Sequence, residues 1–257
     1  MAKRRKSSRR RRRGSFGFLY KLLSMLIISA TIVVATTLFF KVNTIYVSGN
    51  QRYTSQQVQD ATEIQIGNNL YLLDKNEVAE KIIKALPYVE KIRINRKLPD
   101  TLVVEVQECG EPLAVVQDGF AWLISPKGKI VEQAEAPRAE EYALLSGCQL
   151  LAPSVGTQMA IASEYAVQQE SLLALVAALE AAGMKEKLDG IRLDDVDIIR
   201  MDYAGRFTVE MPYGADYGYK LRFLQEALNG GKIQDNMTGT FNMIRDDGRV
   251  HFIQNVR

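Results

Sequence analysis

The chain has 257 residues, 47% hydrophobic and 25% charged, with a net charge of +3, two cysteines and one histidine. So few soft ligands exclude an ordinary zinc set, and the length allows one or two domains beyond any targeting segment. The near-neutral total conceals a split: residues 1–21 carry ten Lys or Arg and no acid, Lys41 makes eleven, and taking these from 33 leaves 22 basic against 30 acidic residues in the remainder.

Leu22–Phe40, LLSMLIISATIVVATTLFF, runs nineteen residues without a charge. As a helix it reaches about 28 Å, close to the hydrocarbon thickness of a bilayer. A helix there satisfies its own backbone groups, as lipid demands. A core helix in a small domain is rarely apolar on every face for this long. A cleaved signal peptide has a shorter apolar region and a small-residue site, whereas this stretch ends in Leu38, Phe39 and Phe40, with only the weak pair Ala35 and Thr37. The expectation is an uncleaved anchor. Lys3, Arg4, Arg5, Lys6 and Arg9–Arg13 precede it and only Lys41 closely follows. The positive-inside rule then makes 1–21 a cytoplasmic tail, 22–40 a transmembrane helix, and 42–257 extracytoplasmic. An anionic leaflet accounts for the basic run without nucleic acid.

Beyond the anchor, Thr44–Asn50 alternates Ile45 and Val47 with polar neighbours and ends in a Gly49-Asn50 turn, which predicts a strand. Thr54 or Ser55 caps a predicted helix to about Thr62. Asp74 and Glu77 resemble a capping box ahead of the stripe Val78, Ile82, Ile83 and Leu86, and Pro87 stops that helix. Val89–Asn95 and the alternating Leu102, Val104 and Val106 are predicted strands about the turn Leu98-Pro99-Asp100. The order βααββ suits a small two-layer domain over 42–110.

Residues 111–257 read mostly as strands. Leu113–Gln117 and Phe120–Ile124 flank Asp118-Gly119, a hairpin signal. Ile130-Val131, Ala143–Leu145, Ile191–Leu193, Asp197–Tyr203 and Arg206–Met211 follow as short strands. Helix returns near Ser163, with Leu172, Leu175, Val176 and Leu179 at i, i+3, i+4, i+7 and Gly183 as its stop. A second helix spans about Asp216–Leu228, and Gly239–Ile244 and Arg249–Gln254 are the last strands, joined by Asp246-Asp247-Gly248. The fold class expected is α+β: one transmembrane helix, a βααββ domain, and a mainly antiparallel β domain with two helices.

No catalytic constellation stands out. His251 sits on a predicted strand with no nucleophile beside it, and Asp194, Asp195 and Asp197 read as a solvated strand end rather than a calcium loop. Trp122 falls at an inward position and reads as core. Cys109 and Cys148 are either a disulfide or two small buried side chains. No cofactor and no metal are expected. What remains is surface: the last strand is a candidate sheet edge, with unpaired N–H and C=O groups for an incoming strand. Arg249, Val250, His251, Phe252 and Ile253 are the candidate partner-binding residues, with Phe252 as an anchor.

Val42-x-x-Ile45-x-Val47-x-Gly49-Asn50 behind a membrane helix resembles the opening of a POTRA domain of the FtsQ type. So does Leu86-Pro87-Tyr88-Val89 with Ile92-Arg93-Ile94-Asn95-Arg96-x-x-Pro99-x-x-Leu102-x-Val104-x-Val106-x-Glu108, and the resemblance continues through Glu111-Pro112-Leu113-Ala114. Trp122-Leu123-Ile124-x-x-x-Gly128, Leu145-Ser146-Gly147, Tyr213-Gly214 before Lys220-Leu221, and Gly239-Thr240-Phe241-Asn242-Met243 resemble the β domain of the FtsQ/DivIB family. Asn242 stands where that family often has Asp, and the extended tail of many Gram-positive members is not expected after Arg257. The resemblance implies a non-enzymatic scaffold of the bacterial cell-division machinery, at the septum of the cell membrane. Its implied partners are FtsB/DivIC-like and FtsL-like bitopic proteins, held by the β domain and so helping to control septal peptidoglycan synthesis. Other division proteins would meet the POTRA domain. Two other classes stay open: an envelope POTRA protein in outer-membrane or protein transport, and an anchored cell-wall enzyme.

Overall fold

A computed structural model describes residues 16–162, 165–231, 233–234, 236–245 and 250–255. The basic run at 3–13 and the 246–248 turn lie outside the described residues.

The apolar stretch forms a helix, α1 (Phe16–Phe39), starting six residues ahead of the charge-free window and taking in Lys21. Gly17–Phe39 is long and apolar enough to cross a membrane, and none of it is buried against the rest of the chain. That removes the buried core helix as an explanation. The hydroxyls of Thr31, Thr36 and Thr37 donate to carbonyls four residues back at 2.9, 2.9 and 3.0 Å, so these polar side chains are satisfied within the helix.

Next comes a three-stranded sheet with two helices: β1 (Thr44–Ser48), α2 (Ser55–Ala61), α3 (Lys75–Ala85), β2 (Val89–Lys97) and β3 (Thr101–Glu108). β3 is central, parallel to β1 and antiparallel to β2. Chain-order neighbours alone do not give this, since β1 pairs with the last strand. Thr54 and Gln57 form a full capping box on α2, and the Asp74 side chain accepts from the N–H groups of Asn76 and Glu77 to open α3. Val58, Val78, Ile82, Ile94, Leu102 and Val104 meet in the core. Gly49 follows β1 with φ +82°, and a Cβ there would lie 2.1 Å from the Val106 carbonyl oxygen, so only glycine fits this turn.

The second sheet has nine strands: β4 (Leu113–Gln117), β5 (Phe120–Ile124), β6 (Ile130–Glu135), β7 (Ala143–Ser146), β8 (Leu188–Arg192), β9 (Ile198–Tyr203), β10 (Phe207–Pro212), β11 (Gly239–Asn242) and β12 (His251–Gln254). Their spatial order is β12-β11-β10-β9-β8-β7-β4-β5-β6. Five pairings are antiparallel, and β4–β7, β7–β8 and β10–β11 are parallel. Helices α4 (Ala166–Ala181) and α5 (Tyr217–Asn229) supply Leu172, Leu175, Val176, Leu179, Leu221 and Leu224 to the core against this sheet. α4 begins at Ala166 rather than near Ser163, which lies outside the described residues. Trp122 is buried in this core, as its strand position predicts.

A third, small cluster joins the two sheets. Tyr88 is buried with Ala114, Leu123 and Val131. Its hydroxyl donates to Glu132 at 2.5 Å, and the Arg52 guanidinium lies 4.0 Å from its ring centre. Burial first, then the bond to Glu132, hold that hydroxyl far above its ordinary pKa, so it stays a proton donor. Lys127 pairs with Glu90 across the same seam at 2.5 Å.

Candidate partner-binding edge

The end of the nine-stranded sheet is built from three aromatic side chains. Phe207 on β10, Phe241 on β11 and Phe252 on β12 stack in sequence, with centroids 5.1 Å apart for Phe207–Phe241 and 4.8 Å for Phe241–Phe252. Phe241 is fully buried and Phe252 half-buried. β12 can come this close because position 239 is glycine: a Cβ there would sit 2.4 Å from the Ile253 carbonyl oxygen and 2.8 Å from the Phe252 ring. Beyond the end of β11, the Lys220 ammonium is buried and donates to the carbonyls of Met243 at 2.8 Å and Arg245 at 3.5 Å. It ties α5 to the chain as it leaves β11.

Among the described residues β12 pairs with β11 alone and ends the sheet. Asn255 N–H donates to the Thr238 carbonyl, which fixes the alternation of the ladder. His251 and Ile253, opposite Asn242 and Thr240, then exchange bonds with β11. The backbone groups of Phe252 and Gln254 point away from the sheet, toward the open edge.

The candidate residues divide accordingly. Ile253 is 58% exposed and His251 is exposed, so both present side chains to the outside. Val250 is half-buried and packs, with Phe252, against the main core. Phe252 thus fastens the edge strand from within, and Ile253 is the exposed apolar side chain beside the open backbone. Arg249 lies outside the described residues. The structure adds Gly239, Lys220, Phe207 and Phe241, which support the edge. One signal for Lys220 is in the sequence: Tyr217, Lys220, Leu221 and Leu224 share the i, i+3, i+4, i+7 stripe that α5 buries.

The other chemistry-bearing residues do not converge. Asp194 and Asp195 pair with Arg200 at 3.1 and 3.0 Å, and Glu210 meets the same guanidinium at 3.2 Å. The N–H of Asp197, and then Arg200, hold the Asp195 carboxyl below the usual carboxylate range. Cys109 and Cys148 are both free, and burial pushes each thiol up to about 11, away from thiolate reactivity. Among the described residues no three His, Cys, Asp or Glu side chains gather as a metal site.

A second open edge lies in the small sheet. Beside β2, a groove of about 550 Å³ runs against α3, lined by Ala79, Ile83, Ile92, Arg93, Glu105 and Val106.

Residues 40–108 match the family described as POTRA domain, FtsQ-type. The chain is similar to Cell division protein DivIB of Clostridium botulinum, 25% identical over 130 residues, which are 51% of this chain and 50% of that protein. It is similar to Cell division protein FtsQ of Syntrophotalea carbinolica, 26% identical over 199 residues, 73% of this chain and 65% of that one. Cell division protein FtsQ of Corynebacterium glutamicum is 32% identical over 89 residues, covering 35% of this chain and 40% of that protein. The chain thus spans between half and just under two thirds of the length of the first relatives it matches. The resemblance carried by the motifs at 42–50 and 86–108 is borne out.

Proposed function

We propose that this chain, whose homologues are FtsQ/DivIB cell division proteins, is a bitopic, non-enzymatic scaffold of the division machinery. Its basic tail lies in the cytoplasm, α1 crosses the membrane, and both sheets stand outside. The β12 edge receives a strand from an FtsB/DivIC-like bitopic protein paired with an FtsL-like one, and through that capture helps to control septal peptidoglycan synthesis at the septum. The groove beside β2 meets other division proteins. The observation that carries this reading is the terminal position of β12: among the described residues its ladder runs to β11 only, and its outward backbone groups flank the exposed Ile253.

Affinity in strand addition comes from main-chain bonds and specificity from alternate side chains. The test is co-purification of an FtsB/DivIC-like partner with the full-length protein. Ile253→Asp and Phe252→Pro should each weaken capture by at least about tenfold, a loss of roughly 1.4 kcal/mol. Because Phe252 also fills the aromatic stack, Ile253→Asp is the cleaner variant, and its thermal midpoint should stay within the wild-type range. Undiminished capture by Ile253→Asp and Phe252→Pro, both folded, contradicts the proposal.

A further inference from the structure

We propose that the loop 66–73 rests in the outer membrane interface as an apolar foot that sets the height and tilt of the first domain on the bilayer. The inference rests on α1 crossing the membrane. The loop is bonded to the end of that helix. Leu70 N–H donates to the Phe40 carbonyl at 2.8 Å, and the Asn69 amide reaches the carbonyls of Thr36 and Thr37 at 3.4 and 3.5 Å. The Phe40 and Tyr71 rings meet edge to face, with centroids 4.9 Å apart. Thr36 lies three residues before the helix end, a rise of about 4.5 Å, so the loop reaches back along the last turn. That turn is itself apolar and open, with Leu38 64% and Phe39 71% exposed.

The side chains the loop presents there are apolar. Leu72 is 79% exposed and Tyr71 50% exposed, the first among the most open apolar residues outside α1. Asn68 is exposed, but backbone groups of the apolar stretch 70–73 are paired by the Asn69 and Arg96 side chains. The Asn69 side-chain oxygen accepts from Tyr71 N–H at 2.9 Å and Leu72 N–H at 3.3 Å. Arg96, on β2, donates to the carbonyls of Leu70 and Leu73 at 2.6 Å each and of Tyr71 at 3.3 Å. This pairing fastens the loop to the domain and leaves fewer of its backbone groups in need of water. That suits a loop entering the interface, since unpaired backbone groups are costly there. Tyr and a bulky aliphatic residue suit the headgroup boundary, where aromatic rings concentrate. Continuity with the membrane helix identifies the occupant as lipid.

The full-length protein is reconstituted in nanodiscs of phosphatidylcholine and phosphatidylglycerol, with or without bromine on the acyl chains. Leu72→Trp places a fluorophore in open space, and Tyr71→Trp is a second position should the first disturb folding. The native Trp122 is buried in the second domain and gives an unquenched background. Ile28→Trp in α1 and Val196→Trp, at a 76%-exposed site in the β8–β9 turn, are the membrane and water references. An apolar face seated about 5–10 Å into the interface should lose roughly half of its added emission, while Val196→Trp loses none. Quenching at Ile28→Trp without quenching at Leu72→Trp or Tyr71→Trp overturns the foot and leaves the span intact. No quenching at Ile28→Trp as well removes the span, and the foot with it.

Discussion

The two sheets differ in how large a core holds them. In the nine-stranded sheet, twenty-eight described side chains are buried in one cluster, with α4 and α5 laid over it. In the three-stranded sheet the cluster has eleven. A small domain buries less of its unfolded surface, so its loops need other fastenings. Here they are charged side chains on backbone groups. The Glu108 carboxylate accepts from the N–H groups of Gln51, Arg52 and Tyr53 at 3.1, 2.7 and 3.1 Å, and Arg96 serves three carbonyls of the 70–73 loop. The lesson is that the small domain should be sensitive to single polar substitutions, and the large one to cavities.

The sharpest break of that contrast is Leu179→Ala. Leu179 is fully buried on α4, and its truncation should cost about 3–4 kcal/mol. Urea denaturation followed by Trp122 fluorescence reads this domain alone, because Trp122 is the chain's sole tryptophan. Next is Glu108→Ala, which orphans three N–H groups and should cost about 2 kcal/mol, visible as faster amide exchange across 44–61 with the Trp122 transition unmoved. Tyr88→Phe removes the donor to Glu132 across the seam. A loss of about 1 kcal/mol is expected, with faster exchange near residues 88 and 132.

The smallest effect concerns pH. Asp195 titrates below its ordinary range when folded, so its contribution is present above the unfolded value and fades as the pH falls through the lowered one. Arg200→Gln should move the Asp195 carboxyl titration upward without abolishing the shift, because the Asp197 N–H bond remains. Carboxyl NMR titration checks this, and an unmoved Asp195 counts against the Arg200 contribution.

Local signals made much of this fold readable. Val78 and Ile82 behind the Asp74 cap mark α3, and Asp118-Gly119 between two apolar runs defines the β4–β5 hairpin to the residue. The single nine-stranded sheet was not readable. Its parallel pairs β4–β7, β7–β8 and β10–β11 join segments separated by whole elements, and such pairing leaves no local period. At the edge, the position of the last strand was legible, but not the work of each residue. Phe252 looks like an anchor when taken alone. Its shared parity with Val250, opposite His251, is the pattern of a core-facing side chain, and that is where it sits. Gly239 and the aromatic stack depend on a tertiary approach that sequence spacing does not encode.

The central claim, a membrane-anchored division scaffold, is tested most directly by imaging the full-length protein in dividing cells with a fluorescent tag on the N-terminal tail. The account predicts a midcell band that appears with constriction. An even peripheral signal throughout the cycle would contradict the division role.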